Sequence, residues 1–109
     1  MRQVIPEEGV QTVAMDKTTG MMRRTVMYSG RVQGVGFRAT AVECAKPFSV
    51  YGYVRNLTDG RVELVVEGAA DEIDRFLAAI ADVMGRLIAR VDVANSAATG
   101  EFKRFTIQV

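Results

Sequence analysis

The chain has 109 residues, 49% hydrophobic and 25% charged, which suits one ordinary folded domain and argues against a disordered or fibrous chain. A formal net charge of +1 gives no overall polyelectrolyte attraction to nucleic acid. With no His and a single cysteine, Cys44, the sequence excludes Ser-His-Asp and Cys-His catalysis, imidazole metal sites, an intramolecular disulfide and thiolate zinc clusters.

Residues 1–22, punctuated by Pro6, Gly9 and Gly20 and without sustained periodicity, are expected to form a flexible N-terminal extension, with the domain proper over 23–109. Arg24 to Arg31 carries Val26, Tyr28 and Gly30 on one parity and reads as a strand. Val32-Gln33-Gly34-Val35-Gly36-Phe37-Arg38 follows as a glycine-interrupted loop. Ala39 to Lys46 is rich in helix formers and is followed by Pro47. Tyr51 to Leu57 reads as a second strand, and Thr58-Asp59-Gly60 supplies hairpin chemistry into a third, in which Val62, Leu64 and Val66 alternate with Glu63, Val65 and Glu67. A second helix carries one apolar stripe of Ile73, Phe76, Leu77, Ile80, Val83 and Met84. Asp71, Glu72 and Asp74 suit its positive end, and Gly85 offers a stop. Strands over Ile88 to Val93 and Phe102 to Val109 complete the chain, the last with Phe105, Ile107 and Val109 on one face.

The order is βαββαβ with a final strand. It predicts an α+β ferredoxin-like sandwich, two helices on one face of a mixed, mainly antiparallel sheet. In that fold the second strand is expected to lie beside the first. No apolar run approaches the ~18 residues of a membrane span, and the N-terminus lacks the hydrophobic core of a signal peptide. A cytoplasmic, reducing setting is the expectation.

Charge is unevenly spread. Between Arg23 and Arg61 seven basic residues face two acidic ones, whereas Val62 to Val109 holds five basic against eight acidic. The positive charge is therefore concentrated in one part of the chain, as a small anionic substrate would require. The first N–H groups of a helix lack intrahelical partners, and the dipole's positive end points the same way. Gly34 and Gly36 can turn backbone amides into an anion-binding concavity, and Arg38 adds a permanent charge with a planar fork suited to phosphate oxygens. The plain alternative is a tight connection carrying a surface arginine. Six positions before Arg38 stands Val32, not a cysteine, and Cys44 follows the arginine inside the helix. A phosphoryl group held here has no obvious nucleophile to accept it, which favours direct attack by water. Cys44 itself reads as a small core residue.

Gly30-Arg31-Val32-Gln33-Gly34-Val35-Gly36-Phe37-Arg38 resembles the acylphosphatase signature, and Gly52-Tyr53-Val54-Arg55-Asn56 with Asp59-Gly60-Arg61-Val62-Glu63 resembles that family's second motif. The resemblance runs from the first strand to Val109. It implies hydrolysis of the carboxyl-phosphate bond of acyl phosphates by water, without a phosphoenzyme. It also implies that Gln33, Gly34, Val35, Gly36, Phe37 and Arg38 bind the phosphoryl group, while Asn56 orients the water. Asn56 as a turn residue at a strand end is the alternative. The expected partners are a small acyl phosphate substrate and inorganic phosphate as product. No metal, cofactor, nucleic acid or membrane is expected, and the chain is expected to be a monomer.

Two stretches depart from the family pattern. Pro47-Phe48-Ser49 replaces a glycine-containing turn after the first helix, so a shortened or distorted helix end is expected. Arg86-Leu87-Ile88-Ala89-Arg90 lacks the prolines often found before the fourth strand. Arg23, Arg24, Arg31, Arg55 and Arg61 read as solvated surface charges, and the carboxylates as scattered over surface-type positions. The competing reading is a non-catalytic ferredoxin-like ligand-binding or RNA-binding module. RNA readers of this order stack bases on central-strand aromatics, and the third strand here has none.

Overall fold

The computed structural model describes residues 20–109; residues 1–19 of the expected extension lie outside the described residues. The elements are β1 (Met22–Gly30), α1 (Phe37–Ala45), β2 (Val50–Asn56), β3 (Val62–Gly68), α2 (Ala70–Met84), a 3₁₀ turn (Gly85–Leu87), β4 (Ile88–Ala97) and β5 (Phe105–Ile107). They form a five-stranded sheet in the order β4-β1-β3-β2-β5. All neighbours are antiparallel except β2 and β5. With both helices packed on it, this is the ferredoxin-like α+β sandwich that the element order predicts.

One sequence expectation about neighbours is corrected. β2 does not lie beside β1; β3 runs between them, antiparallel to both. β1 and β2 are therefore parallel and separated by one strand, so α1 must cross over β3 to join them. The crossover carries the start of α1 and the end of β2 to the same end of the sheet.

Alternation explains what is buried. Val26 and Tyr28 of β1, Val50 and Val54 of β2, and Val62, Leu64 and Val66 of β3 point toward the helices and are shielded from solvent. From α1 only Phe37, Ala41 and Ala45 are buried, at a four-residue spacing, and the two small alanines let the helix approach the sheet closely. α2 buries Ile73, Phe76, Ile80 and Met84, and the Phe76 ring meets Phe105 edge-on with centroids 5.0 Å apart. Val83, expected in that stripe, is 61% exposed. Gly85 keeps right-handed helical angles and leads into the 3₁₀ turn instead of stopping the helix.

The third strand is central and covered on both faces. Val65 and Glu67, expected outward, are 3% and 1% exposed. Glu67 is thus no surface carboxylate. It accepts hydrogen bonds from the backbone N–H groups of Thr99 and Gly100 (both 2.9 Å), from the Thr99 hydroxyl (3.0 Å) and from Arg23 Nε (2.7 Å). Burial alone would raise its carboxyl pKa, but these donors outweigh it and hold the group below its ordinary range. The arginines are also less free than the sequence suggests. Arg23 pairs with Glu67 and Glu101, Arg24 with Asp74, Arg55 with Glu63 and Arg61 with Asp59.

Strand lengths also differ from expectation. β4 extends to Ala97, whereas β5 stops at Ile107 and leaves Val109 fully exposed. Phe102 lies before β5, edge-on to Tyr53 and beneath the Arg23 guanidinium. After α1, Lys46 and Phe48 donate three-residue turn bonds to Glu43 and Ala45, and the Ser49 N–H donates to Glu72 at the start of α2.

Candidate active site

The connection from β1 to α1 is built on two left-handed glycines, Gly34 (φ 75°) and Gly36 (φ 81°). Residues with a Cβ rarely adopt such angles, so glycine is what allows the chain to reverse here. Gly36 is also the residue from which α1 starts. No side chain caps that helix, and its first turn holds no acidic residue. The first bond into the helix runs from Thr40 N–H to Gly36 O (2.9 Å), so the N–H groups of Phe37, Arg38 and Ala39 have no carbonyl within the helix to bond. They and the helix dipole favour an anion at this point.

Phe37 locks the orientation. Its ring is buried against Tyr28, with centroids 4.8 Å apart. With Phe37 turned into the core, Arg38 is directed to the rim of the loop, where it is half-buried. Among the described residues Arg38 has no ion-pair partner, unlike Arg23, Arg24, Arg55 and Arg61.

Asn56 reaches the same spot from β2. Val50, Gly52 and Val54 face the helices, and the two-residue repeat puts Asn56 on that face as well, one step past the core. Gln33 ties the two segments together. Its side-chain amide donates to the carbonyls of Leu57 (2.8 Å) and Arg61 (2.9 Å), at the two ends of the β2–β3 turn. The loop is thereby fastened to the residue that follows Asn56.

The result is a cavity of about 160 Å³ lined by Val32, Gly34, Gly36, Phe37, Arg38, Ala39, Asn56 and Ile107. At roughly 30 Å³ per water, that is enough for a phosphoryl group and a water, while a larger acyl group must extend outward. Of the residues expected from the sequence, Gly34, Gly36, Phe37, Arg38 and Asn56 line it. Gln33 and Val35 do not. Ile107 was not anticipated as a lining residue; it arrives because β5 pairs in parallel with β2 and sets Ile107 opposite Val54. Its parity with the buried Phe105 is the sequence signal that could have found it. A more open cleft of about 360 Å³ beside Gly52, Tyr53 and Thr106 has no helix start at its wall.

Among the described residues, none that lines the cavity carries a hydroxyl, thiol or carboxyl group to act as nucleophile or acid. Burial pushes the Tyr28 hydroxyl and the Cys44 thiol above their ordinary pKa values, with the Glu43 carboxylate adding to the effect on Cys44. Both stay protonated at neutral pH. Among the described residues no three His, Cys, Asp or Glu side chains gather as a metal site. What the cavity offers is a ring of donors, one guanidinium and one neutral amide.

Comparison with known proteins decides the family, since the acylphosphatase sequence profile matches residues 24–107. The chain belongs to the acylphosphatase family. An acylphosphatase of Methylococcus capsulatus is 48% identical over 90 residues, spanning 80% of this chain and 96% of that protein. One from Syntrophobacter fumaroxidans is 45% identical over 87 residues, 78% of this chain and 89% of its own. The crystal structure of the Bacillus subtilis acylphosphatase superposes with a TM-score of 0.73 at 29% identity, covering 81% of this chain and 99% of that one. The activity is hydrolysis of acyl phosphates to carboxylate and phosphate. No helix among the described residues is long and apolar enough to cross a membrane.

Proposed function

We propose that the Gly34–Arg38 loop binds the phosphoryl group of an acyl phosphate, and that Asn56 directs a water at it, with no covalent phosphoenzyme. The observation that carries this reading is the meeting of Arg38, the uncapped α1 start and Asn56 around one small cavity. An acyl phosphate is a mixed anhydride with a good carboxylate leaving group, so expulsion needs little acid help. What remains is to neutralise phosphoryl charge and align the water, the two tasks that dominate phosphoryl transfer.

The loop amides and the Arg38 fork act on charge spread over the non-bridging oxygens. Asn56 has an amide oxygen that can accept a proton from water and an amide N–H that can donate, and neither depends on pH. Gln33 acts as a positioning residue through its bonds to Leu57 and Arg61. The Val35 side chain does not line the cavity; it packs against the core and anchors the loop between the two glycines. All these residues come from one copy within 23–109, so a single domain is competent. The reading requires no nucleic acid, cofactor or metal, and the cytoplasm is the setting we infer from the single cysteine.

The test is a phosphate-release assay with benzoyl phosphate in the presence of EDTA, using the wild-type and Arg38→Ala proteins. Full wild-type turnover in EDTA with loss in the variant is expected. Near-wild-type turnover in Arg38→Ala would remove the arginine from the mechanism. A rate lost in EDTA and restored by one divalent ion would overturn the metal-free reaction.

A further inference from the structure

The role assigned to Asn56 needs a fixed amide, yet the side chains that flank it in the sheet are apolar. On the helix-facing side of β2 the residue behind it is Val54, and the residue opposite it on β3 is Val62, both fully buried. On its other flank β5 runs parallel to β2, with Ile107 opposite Val54. Neighbouring strands lie about 4.8 Å apart, and same-face residues about 6.6 Å along a strand, so Ile107 stands diagonally beside Asn56. Ile107 shares the parity of Phe105, whose ring packs on Phe76 of α2, and so turns its side chain to that same face. Asn56 and Ile107 line one cavity of about 160 Å³.

The three aliphatic neighbours are not equivalent. Val54 and Val62 belong to the core and support Asn56 from behind and from the β3 side. Ile107 is 44% exposed and forms the part of the wall that separates the amide from solvent on the β5 side.

An isoleucine in this place can do two things. Its β-branched side chain is stiff about χ1 and limits rotation of the neighbouring carboxamide by volume alone. It also offers a water no hydrogen bond, so a water on this flank directs its bonds to Asn56 and to the phosphoryl oxygens. Neither effect adds or removes charge, so the binding of phosphate in the ground state is left alone.

We propose that Ile107 is a positioning residue for the attacking water. It closes the β5 flank of the cavity and confines the Asn56 amide to the orientation that aims the water at phosphorus; this role rests on the assignment of the water to Asn56. Ile107 acts through that residue, which makes the two side chains energetically coupled.

A double-mutant cycle on the full chain tests the coupling, with kcat for benzoyl phosphate and calorimetric affinity for inorganic phosphate read on each protein. Ile107→Ala should lower kcat about tenfold, with phosphate affinity within about twofold of wild type. Ile107→Val keeps the branch and should hold kcat within about threefold of wild type. In an Asn56→Ala background there is no amide to orient, so adding Ile107→Ala should cost less than about twofold more. A merely structural role in holding β5 would act in both backgrounds alike. Wild-type kcat in Ile107→Ala, the same loss repeated in the Asn56→Ala background, or phosphate affinity falling as far as kcat would each overturn the proposal. The assignment of Asn56 fails in a different way. Wild-type kcat in Asn56→Ala removes the amide from the reaction and the role of Ile107 with it, whereas an impaired Asn56→Ala protein with additive losses removes Ile107 alone.

Discussion

Two clusters made of the same parts lie at opposite ends of the β1–β3 pair. Near its start, the backbone N–H groups of Thr99 and Gly100 and the guanidinium of Arg23 converge on the Glu67 carboxylate. Near its end, the uncapped start of α1 and the guanidinium of Arg38 converge on the cavity that Asn56 faces. In the first cluster the protein supplies its own anion, and every donor is satisfied internally. In the second no carboxylate of the described residues answers the arginine. Satisfied donors stabilise the fold and bind nothing; unanswered ones cost stability and are available to a substrate.

Removing the central charge of each cluster separates the two roles. Arg38→Ala should lower kcat/KM by about 10³-fold or more while leaving the denaturation midpoint nearly unchanged, because the loss falls on transition-state charge. Arg38→Lys keeps the charge but not the fork, and should recover only a small part of the activity. Asn56→Ala should lower kcat by about 10²–10³-fold, the scale of lost positioning.

Glu67→Gln should do the reverse. Its NH2 replaces one of the two acceptor oxygens and so sets a donor against either the Gly100 N–H or those of Thr99 and Arg23, at a cost of about 3 kcal/mol in stability, with kcat little changed in the protein that remains folded. Urea titration with activity assays on the same samples checks both effects. The pH dependence of stability follows from the same cluster. The folded Glu67 pKa is lowered, so its contribution is fully present above the ordinary Glu range of about 4.3 and fades as pH falls through that range to the lower folded value. Wild-type stability should therefore drop in acid more steeply than that of Glu67→Gln. Parallel curves for the two proteins would contradict the assignment.

Gln33→Ala should give the smallest effect. It cuts the tie between the loop and Leu57 and Arg61 without removing a group from the cavity. A loss of about tenfold in kcat, with phosphate affinity held, is expected. A variant with wild-type kcat would show that Asn56 is held by β2 alone.

How far each cluster was legible in the sequence follows from the range of its contacts. The second is local: Gly34, Gly36 and Arg38 sit within five residues at a helix start, so spacing alone pointed to an anion site. Asn56 needed the resemblance, because only the crossover of α1 brings it there, and the expectation that β2 neighbours β1 was wrong about how. Ile107 shares its parity with Phe105, a faint local signal, but its place at the cavity depends on the parallel β2–β5 pairing. The first cluster went unseen. Glu67 occupies an ordinary alternating position, and its donors lie more than thirty residues away in a loop with no periodic signal. Gln33 entered the expected phosphate-binding loop through the motif, and the bonds of its side chain to the β2–β3 turn, 24 and 28 residues away in sequence, left no local signal. The small buried face of α1, made of Phe37, Ala41 and Ala45, is equally faint in sequence because alanine is neither strongly apolar nor polar.

The division of labour between Arg38 and Asn56 is tested most directly by calorimetric titration of inorganic phosphate into the wild-type, Arg38→Ala and Asn56→Ala proteins. A guanidinium against phosphoryl oxygens should matter to the product as well as to the transition state, whereas a neutral amide that holds the water should not. Phosphate affinity should fall at least about tenfold in Arg38→Ala and stay within twofold of wild type in Asn56→Ala. Equal weakening in both variants would make Asn56 a phosphate ligand and leave the water to another group.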